Sequence, residues 1–406
     1  MLTRLRLRGM KSFADAEAPF GPLTLLLGAN ASGKTNVLEA VRLLGALLGD
    51  LASLRHALRE SGDGGDTGIL RGGAREIVRN GSDSFSIEST WHAPSGRTLM
   101  HDLTCAIRPE LEVRSERIHD LSDDSAWLRL QARASATQSE FAGLLQWSTD
   151  HHDGVATQPP MGMGISTDGS ALREVFRFIP ESPARRLAQD LSETLRTLRY
   201  LDITPARMRN YVPADAAQLD ADGGNLSAVL SRLCEDPEAK RGLVDWLSAL
   251  CAPELADLEL SRTDEGSVML RLVEKDGIKV SARSLSDGTL RFLGELVALR
   301  TAPPGSVILM EEIGRDVHPS RMHLLVEYLE SVTEERGIQV IGTTHSPDVL
   351  AALGAQARSN AVVLGRMPDR PGTTMRRLGD IAHFEEVVAR RGLADLFTMG
   401  WLEQAP

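Results

Sequence analysis

The chain has no run approaching the roughly 20 apolar residues that a membrane-spanning helix needs. Its N-terminal stretch, MLTRLRLRGMKSF, carries charges where a secretory signal requires an apolar segment, so a cytoplasmic protein without a membrane partner is expected. Cysteine is scarce. Cys105, Cys234 and Cys251 are the three, and with no CxxC pair they form neither a disulfide framework nor a cysteine zinc site. A basic surplus is lacking too: the net charge of -11 confines any nucleic-acid contact to a local surface. No internal repeat is found, and no helical stretch sustains heptads over three or four repeats, which excludes a long coiled-coil arm. What is present is 406 residues, 42% hydrophobic and 25% charged, an ordinary globular composition for two or three domains or one α/β domain with an insertion.

The strongest local signal is PLTLLLGANASGKTNVLEAVRLLGALLG, residues 22 to 49. It reads as an apolar strand, a glycine-bearing loop and a helix with apolar residues at Val37, Leu38, Val41, Leu44 and Leu48. Gly28 to Thr35 fits G-x-x-x-x-G-K-[ST]. Gly28 and Gly33 let backbone amides turn inward around phosphate oxygens, Lys34 brings a point charge to the β and γ phosphates, and the Thr35 hydroxyl can ligate Mg²⁺. Asn30, Ser32 and Asn36 of the same segment are counted as nucleotide-binding. ATP and Mg²⁺ are the expected cofactors.

Two further segments carry acids and a histidine. PPGSVILMEEIGRDVHPSRMHLLVEYLESV places Glu311 and Glu312 after a buried-type strand, Val307 to Met310, where doubly wound sheets hold their ligands. Strand alternation allows one acid to face Mg²⁺ and the other the attacking water. GIQVIGTTHSPDVLAAL ends another short strand in Thr343, Thr344 and His345, and a γ-phosphate contact is expected for His345. A fourth segment, SLSDGTLRFLGELVAL, reads as a tight turn whose amides open a helix and could receive an anion. Beside the first cradle, such a turn looks redundant.

The order of these motifs resembles the ABC-type ATPase heads of RecF and the structural-maintenance-of-chromosomes proteins, and most of all the RecF-like predicted ATPases of bacteria. The resemblance rests on RLRLRGMKSFADA leading into LLLGANASGKTNVLEAVR, on nearly everything from Leu285 to Leu350, and more weakly on DGGNLSAVLSRL. It implies an α/β fold: a P-loop NTPase of ABC-ATPase-head type, with a mainly parallel core sheet, an antiparallel β subdomain and a helical lobe. It also implies a homodimer on ATP binding, in which Ser286 and Gly288 of one head approach the γ phosphate held by Lys34 of the other. By position, Glu311 stands for the Walker B acid and ligates Mg²⁺ with Thr35. Glu312 positions or polarises water, and His345 senses the γ phosphate; with Lys34 these two form the expected catalytic set. His318 falls in the family's HP turn.

The chain departs from the pattern in places. Ala31 replaces a glycine common in the cradle, tolerated provided its φ is negative. Glu311 replaces the usual aspartate, and Ile313 and Gly314 stand where relatives often carry Pro-Glu. No glutamine precedes Gln131, so none stands where a Q-loop would be, and slow turnover is consistent with that.

The organisation expected is residues 1–95 as the N-terminal half of the head, 96–205 as an insertion, and 206–406 as the helical lobe with the signature and the C-terminal half of the head. DSFSIESTW and HDLTCAIRPELEVRSERI read as antiparallel strands, and 131–172 as a mobile loop. SPARRLAQDLSETLRTL and NLSAVLSRLCEDPEAKRGLVDWLSALC read as helices of the lobe. After His345 no acid-rich strand pattern of a TOPRIM nuclease follows. Arg4, Arg6 and Arg8 share one strand face, for which two readings stand, a DNA-facing stripe and a solvated edge. The function expected is a Mg-ATP-dependent ATPase acting on DNA in repair or genome maintenance. The alternative is an ATP-gated module controlling a separate effector protein of antiphage type, and a transporter motor is disfavoured by the missing glutamine.

Overall fold

A computed structural model describes residues 1–47, 54–58, 70–122, 127–132, 143–147, 151–152, 155–156, 161–250, 254–367 and 370–404. Its centre is a six-stranded sheet in the order Leu198–Leu201, Val307–Met310, Gln339–Thr343, Leu23–Leu27, Val362–Arg366, Thr373–Arg377. The first five run parallel and the last is antiparallel. The inner strands are apolar on both faces, as parallel strands covered on both sides must be. Leu23, Leu25, Leu27, Ile308, Met310 and Val340 enter one core, and Leu26, Val307, Leu309 and Ile341 the other.

The second core fills the space between this sheet, the helix Lys34–Ala46 and an eight-stranded antiparallel sheet. That sheet runs Phe13–Pro19, Leu2–Met10, Ser84–His92, Thr98–Ala106, Glu112–Asp120, Trp127–Ala132, Gly143–Trp147, Met161–Ile165. Alternating burial along Ser84–His92 and Thr98–Ala106 gives the period of two expected of one-sided strands. In its described part, the mobile loop expected over 131–172 is replaced by strands. Gly143–Trp147 and Met161–Ile165 pair antiparallel and extend the sheet, because Leu145 and Trp147 find apolar cover on one face. Residues 133–142, 148–150, 153–154 and 157–160 of that reading lie outside the described residues.

The helix Pro183–Arg196 also departs from expectation. It starts as the sequence predicts, with the Ser182 hydroxyl accepting from the Arg185 amide at 3.2 Å and Pro183 in the first turn. Its stripe of Leu187, Leu191 and Leu195 packs into the core under the antiparallel sheet, not into the lobe. Helical period fixes which face is buried, not against which partner. The lobe itself comprises Leu226–Leu233, Pro237–Leu250 and Asp287–Thr301, with the antiparallel strands Val212–Pro213, Leu255–Arg262, Ser267–Glu274 and Lys279–Ser281 packed beside them.

Inside Asp287–Thr301 lies a buried acid, Glu295, whose Oε2 has no hydrogen-bond partner among the described residues. Burial pushes its carboxyl up to about 8, opposed by Arg291 one turn earlier. The folded chain therefore keeps a proton that the unfolded chain releases near 4.5, so stability falls as pH rises from about 4.5 to about 8 and levels off above. Urea midpoints measured at pH 5.5 and 8.5 are expected to drop with pH, and Glu295→Gln should flatten that drop. An unchanged slope in the variant would place the pH dependence elsewhere.

Candidate nucleotide-binding site

Four adjacent parallel strands deliver the site at their carboxyl ends. Leu201, Met310, Gly342 and Leu25 lie in one register line. The chain beyond each then presents Asp202, Glu311, Thr343 and, two residues past Leu26, Gly28. This is the edge where open α/β sheets hold ligands.

In the loop, Gly28 has φ +139, and a Cβ there would stand 2.3 Å from the Leu364 carbonyl oxygen, so no other residue fits. Lys34 is buried, and its Nζ donates to the carbonyls of Gly28 at 2.7 Å and Ala29 at 2.9 Å. Ser32 is buried with a hydroxyl that has no partner among the described residues, and Asn36 donates from Nδ2 to Ser12 Oγ at 3.3 Å. At Ala31 the condition of a negative φ is not met: its φ is +62, in the left-handed region. A residue with a Cβ there costs about 1–2 kcal/mol, partly regained because alanine has fewer unfolded conformations than glycine. Ala31→Gly is therefore expected to raise stability by about 0.5–1 kcal/mol, read as a higher denaturant midpoint at unchanged slope.

The two acids differ as strand-end neighbours do. Glu311 is 9% exposed, its amide donates to the Leu201 carbonyl, and its Oε2 accepts from Thr343 Oγ1 at 3.0 Å and lies 3.4 Å from Thr35 Oγ1. Burial pushes its carboxyl above the usual range, against the Thr343 bond and the charge of Arg71. Its Oε1 is buried and has no partner among the described residues. A buried acceptor left over beside a threonine hydroxyl is the donor set a small divalent cation uses, so Glu311 and Thr35 fit Mg²⁺.

Glu312 is not in the strand. Its φ is +55, its amide donates to Thr343 Oγ1 at 2.9 Å, and its carboxylate pairs with Arg315 one turn on. The next residue, Ile313, donates from its amide to the Thr343 carbonyl at 2.7 Å, and its own carbonyl accepts from Thr344 Oγ1 at 2.9 Å. Two threonines thus hold the acid loop. His345 has its imidazole pKa lowered by burial and by Lys34, which leaves the ring neutral at pH 7.

These groups share one cleft of about 550 Å³, lined by Asn30 to Asn36, Glu311, Glu312, Thr343 and His345. It also takes in Arg71, Asp202 and Arg315, which sequence reasoning did not single out. Asp202 had a weaker signal, an acid just after the short segment LRYL, whose Arg199 breaks the apolar pattern that marks Glu311. Arg315 stands one helical turn after Glu312, and Arg71 lies in a glycine-rich stretch with no local pattern at all.

Ser286 and Gly288 do not line this cleft. Ser286 caps Asp287–Thr301, its Oγ accepting from the Thr289 amide at 3.1 Å. A Cβ on Gly288 would stand 2.2 Å from the Asp316 carbonyl oxygen, so the glycine is required where the loop after the acids crosses the turn. Arg209 bonds the carbonyls of Ala282, Arg283 and Leu285 and pairs with Asp287 at 2.5 Å, fixing the turn from behind.

The arginine stripe is not a bare cationic edge. Arg4 pairs with Glu17 and Arg6 with Asp15, both at 2.6 Å, and Arg8 lies 3.7 Å from Asp15 and 3.4 Å from Glu88. Acids from both neighbouring strands neutralise it.

A protein-family model described as "AAA domain, putative AbiEii toxin, Type IV TA system" matches residues 23–90 and 164–351, more than half of the chain. The chain is similar to an OLD nuclease of Thermus scotoductus, 41% identical over 51 residues, 13% of this chain and 9% of that protein. It is also similar to a DNA replication and repair protein RecF of Synechococcus, 49% identical over 53 residues, 13% of this chain and 14% of that protein. The chain thus matches a small fraction of the length of these curated relatives. Among solved structures, an SMC head bound to the C-winged helix domain of ScpA aligns at 13% identity and TM-score 0.49, covering 93% of this chain and 98% of that one. The SMC head domain from Thermotoga maritima aligns at 12% identity and TM-score 0.42, with the same coverage of each chain.

Proposed function

Because the chain belongs to the AAA-domain family described as putative AbiEii toxin, Type IV TA system, we propose that it is a Mg-ATP-dependent ATPase whose two heads close on nucleotide and open after hydrolysis, acting on DNA in repair or genome maintenance. The observation that carries this reading is the placement of the motifs. The phosphate loop, the paired acids and His345 face one cleft, while the turn Ser286–Gly288 stands outside it, available to a second copy.

Each residue then has a task. Lys34, already seated among the loop carbonyls, neutralises the β and γ phosphate oxygens, and the loop amides orient them. Thr35 and Glu311 would hold Mg²⁺, which would supply positive charge against the negative charge of the phosphates. Glu312 orients a water and accepts its proton, and Thr343 keeps that acid loop in place. Neutral His345 donates a hydrogen bond to the γ phosphate without adding charge. Ser286 and the amides of the second copy's turn complete the anion's surroundings, and a twofold dimer supplies two such contacts reciprocally.

Light scattering with and without Mg-ATP tests the central step. Glu312→Gln is expected to convert from monomer to dimer on ATP, and adding Ser286→Arg should prevent it. An ATP-bound Glu312→Gln protein whose mass never changes would sink the two-head mechanism.

A second reading, an ATP-gated module that controls a separate effector protein, is favoured by one observation. Arg4, Arg6 and Arg8, the local DNA footprint the sequence offers, are engaged by carboxylates. ATP-dependent retention of duplex DNA by the isolated dimer would decide for the first reading.

A further inference from the structure

Among the described residues, the edge strand Leu198–Leu201 of the central sheet is bonded to Val307–Met310 alone. The Glu311 amide donates to the Leu201 carbonyl at 3.0 Å, so residues 199 and 201 face the ladder and alternation turns the backbone groups of Leu198 and Tyr200 outward. The Leu198 carbonyl accepts from Arg199 Nη1 at 2.9 Å. Immediately past this strand, the Asp202 amide donates to the Ala221 carbonyl at 2.8 Å and that of Thr204 to Asp222 at 3.0 Å. Residues 221 and 222 of the same chain thus already bond the outward edge from residue 202 on, and among the described residues no backbone bond continues that pairing to Tyr200.

Beside that stretch lies a groove of about 650 Å³ between the helix Lys34–Ala46 and residues 218–221. Arg42, Arg196 and Arg199 line it against a single carboxylate, Asp220, with Leu195 and Leu219 among its apolar walls. Arg42 lies over the Tyr200 ring, 4.3 Å from its centroid. Arg196 and Arg199 form no ion pair among the described residues, unlike the arginine stripe, whose charges are met by acids of the same sheet.

We propose that this groove receives an extended, acidic segment of a partner protein, added to the core sheet as a further strand beside Leu198–Leu201. The outward N–H and C=O of Tyr200 call for an acceptor and a donor at strand spacing, which a polypeptide offers and a phosphate backbone does not. The arginines select carboxylates on the added strand's exposed side, and the apolar walls take its alternate residues.

The test is fluorescence anisotropy of the full chain with a labelled decapeptide of alternating valine and glutamate. Its lysine counterpart and a version N-methylated on alternate backbone nitrogens serve as controls. Saturable binding is expected for the acidic peptide alone, weakened about tenfold or more by N-methylation and by Arg196→Glu with Arg199→Glu. The double variant should melt at the wild-type temperature and keep its affinity for a fluorescent ATP analogue. No saturable binding, equal binding of the lysine peptide, or indifference to N-methylation would each overturn the proposal. So would oligothymidine displacing the peptide, which would make the groove a nucleic-acid site, or a self-association that the double variant abolishes, which would assign it to a second copy.

Discussion

Glu312→Gln is expected to lower kcat for ATP by about 10² to 10⁴ while leaving nucleotide affinity within a few-fold of wild type, since it removes a proton acceptor and keeps shape and hydrogen bonding. The choice of Glu312 over its neighbour follows from their surroundings. Glu311 is 9% exposed and already bonded to Thr343, so it is placed to hold a cation, and its removal should show as a higher Mg²⁺ requirement. Glu312 has a side chain 41% exposed, on a backbone held at φ +55, where it can reach a water. Strained backbone at a loop fixed by Thr343 and Thr344 is what a pre-positioned catalytic group tends to show. Single-turnover phosphate release separates the effects. If Glu312→Gln keeps wild-type turnover, the acceptor lies elsewhere in the cleft, with Asp202 the next acid to test.

The largest loss of stability is expected far from the cleft, at Glu116. This carboxylate is 1% exposed and accepts from His101 Nε2 and Ser170 Oγ at 2.7 Å and from the Ala171 amide at 2.5 Å. It joins two strands of the antiparallel sheet to the start of the helix Leu172–Phe178. Glu116→Ala strands three buried donors at once and should cost about 3–5 kcal/mol. Glu116→Gln keeps an acceptor for one or two of them and should cost less. Urea unfolding followed by circular dichroism gives both values, and a loss under 1 kcal/mol for the alanine variant would mean that the cluster relaxes or hydrates.

How much of this was legible beforehand depends on where the determining interaction lies. The phosphate loop was readable because its requirements are local: Gly28 must take φ +139, Lys34 must follow at fixed spacing, and the helix after it needs only its own apolar period. The two acids and His345 were readable because an apolar strand ending in polar residues is a contiguous pattern. The backbone at Ala31 was left as a condition because nothing in a sequence tells the sign of φ at a residue with a Cβ, and the structure sets it at φ +62. The helix Pro183–Arg196 was assigned to the wrong layer because Leu187, Leu191 and Leu195 define a buried face without naming the surface that buries it.

The sequence by itself determined the strand, loop and helix of the cradle, the acids and histidine at strand ends, and the family to which these belong. Only the tertiary structure decided that Asp202, Arg71 and Arg315 share the cleft, that the arginine stripe is neutralised, and that Leu198–Leu201 is, among the described residues, an edge strand beside a groove lined by Arg196 and Arg199. Those facts depend on which strands become neighbours, and neighbours in a sheet are chosen by packing between segments hundreds of residues apart. Local pattern fixes what each segment is, while the burial of its faces against distant partners fixes what it meets.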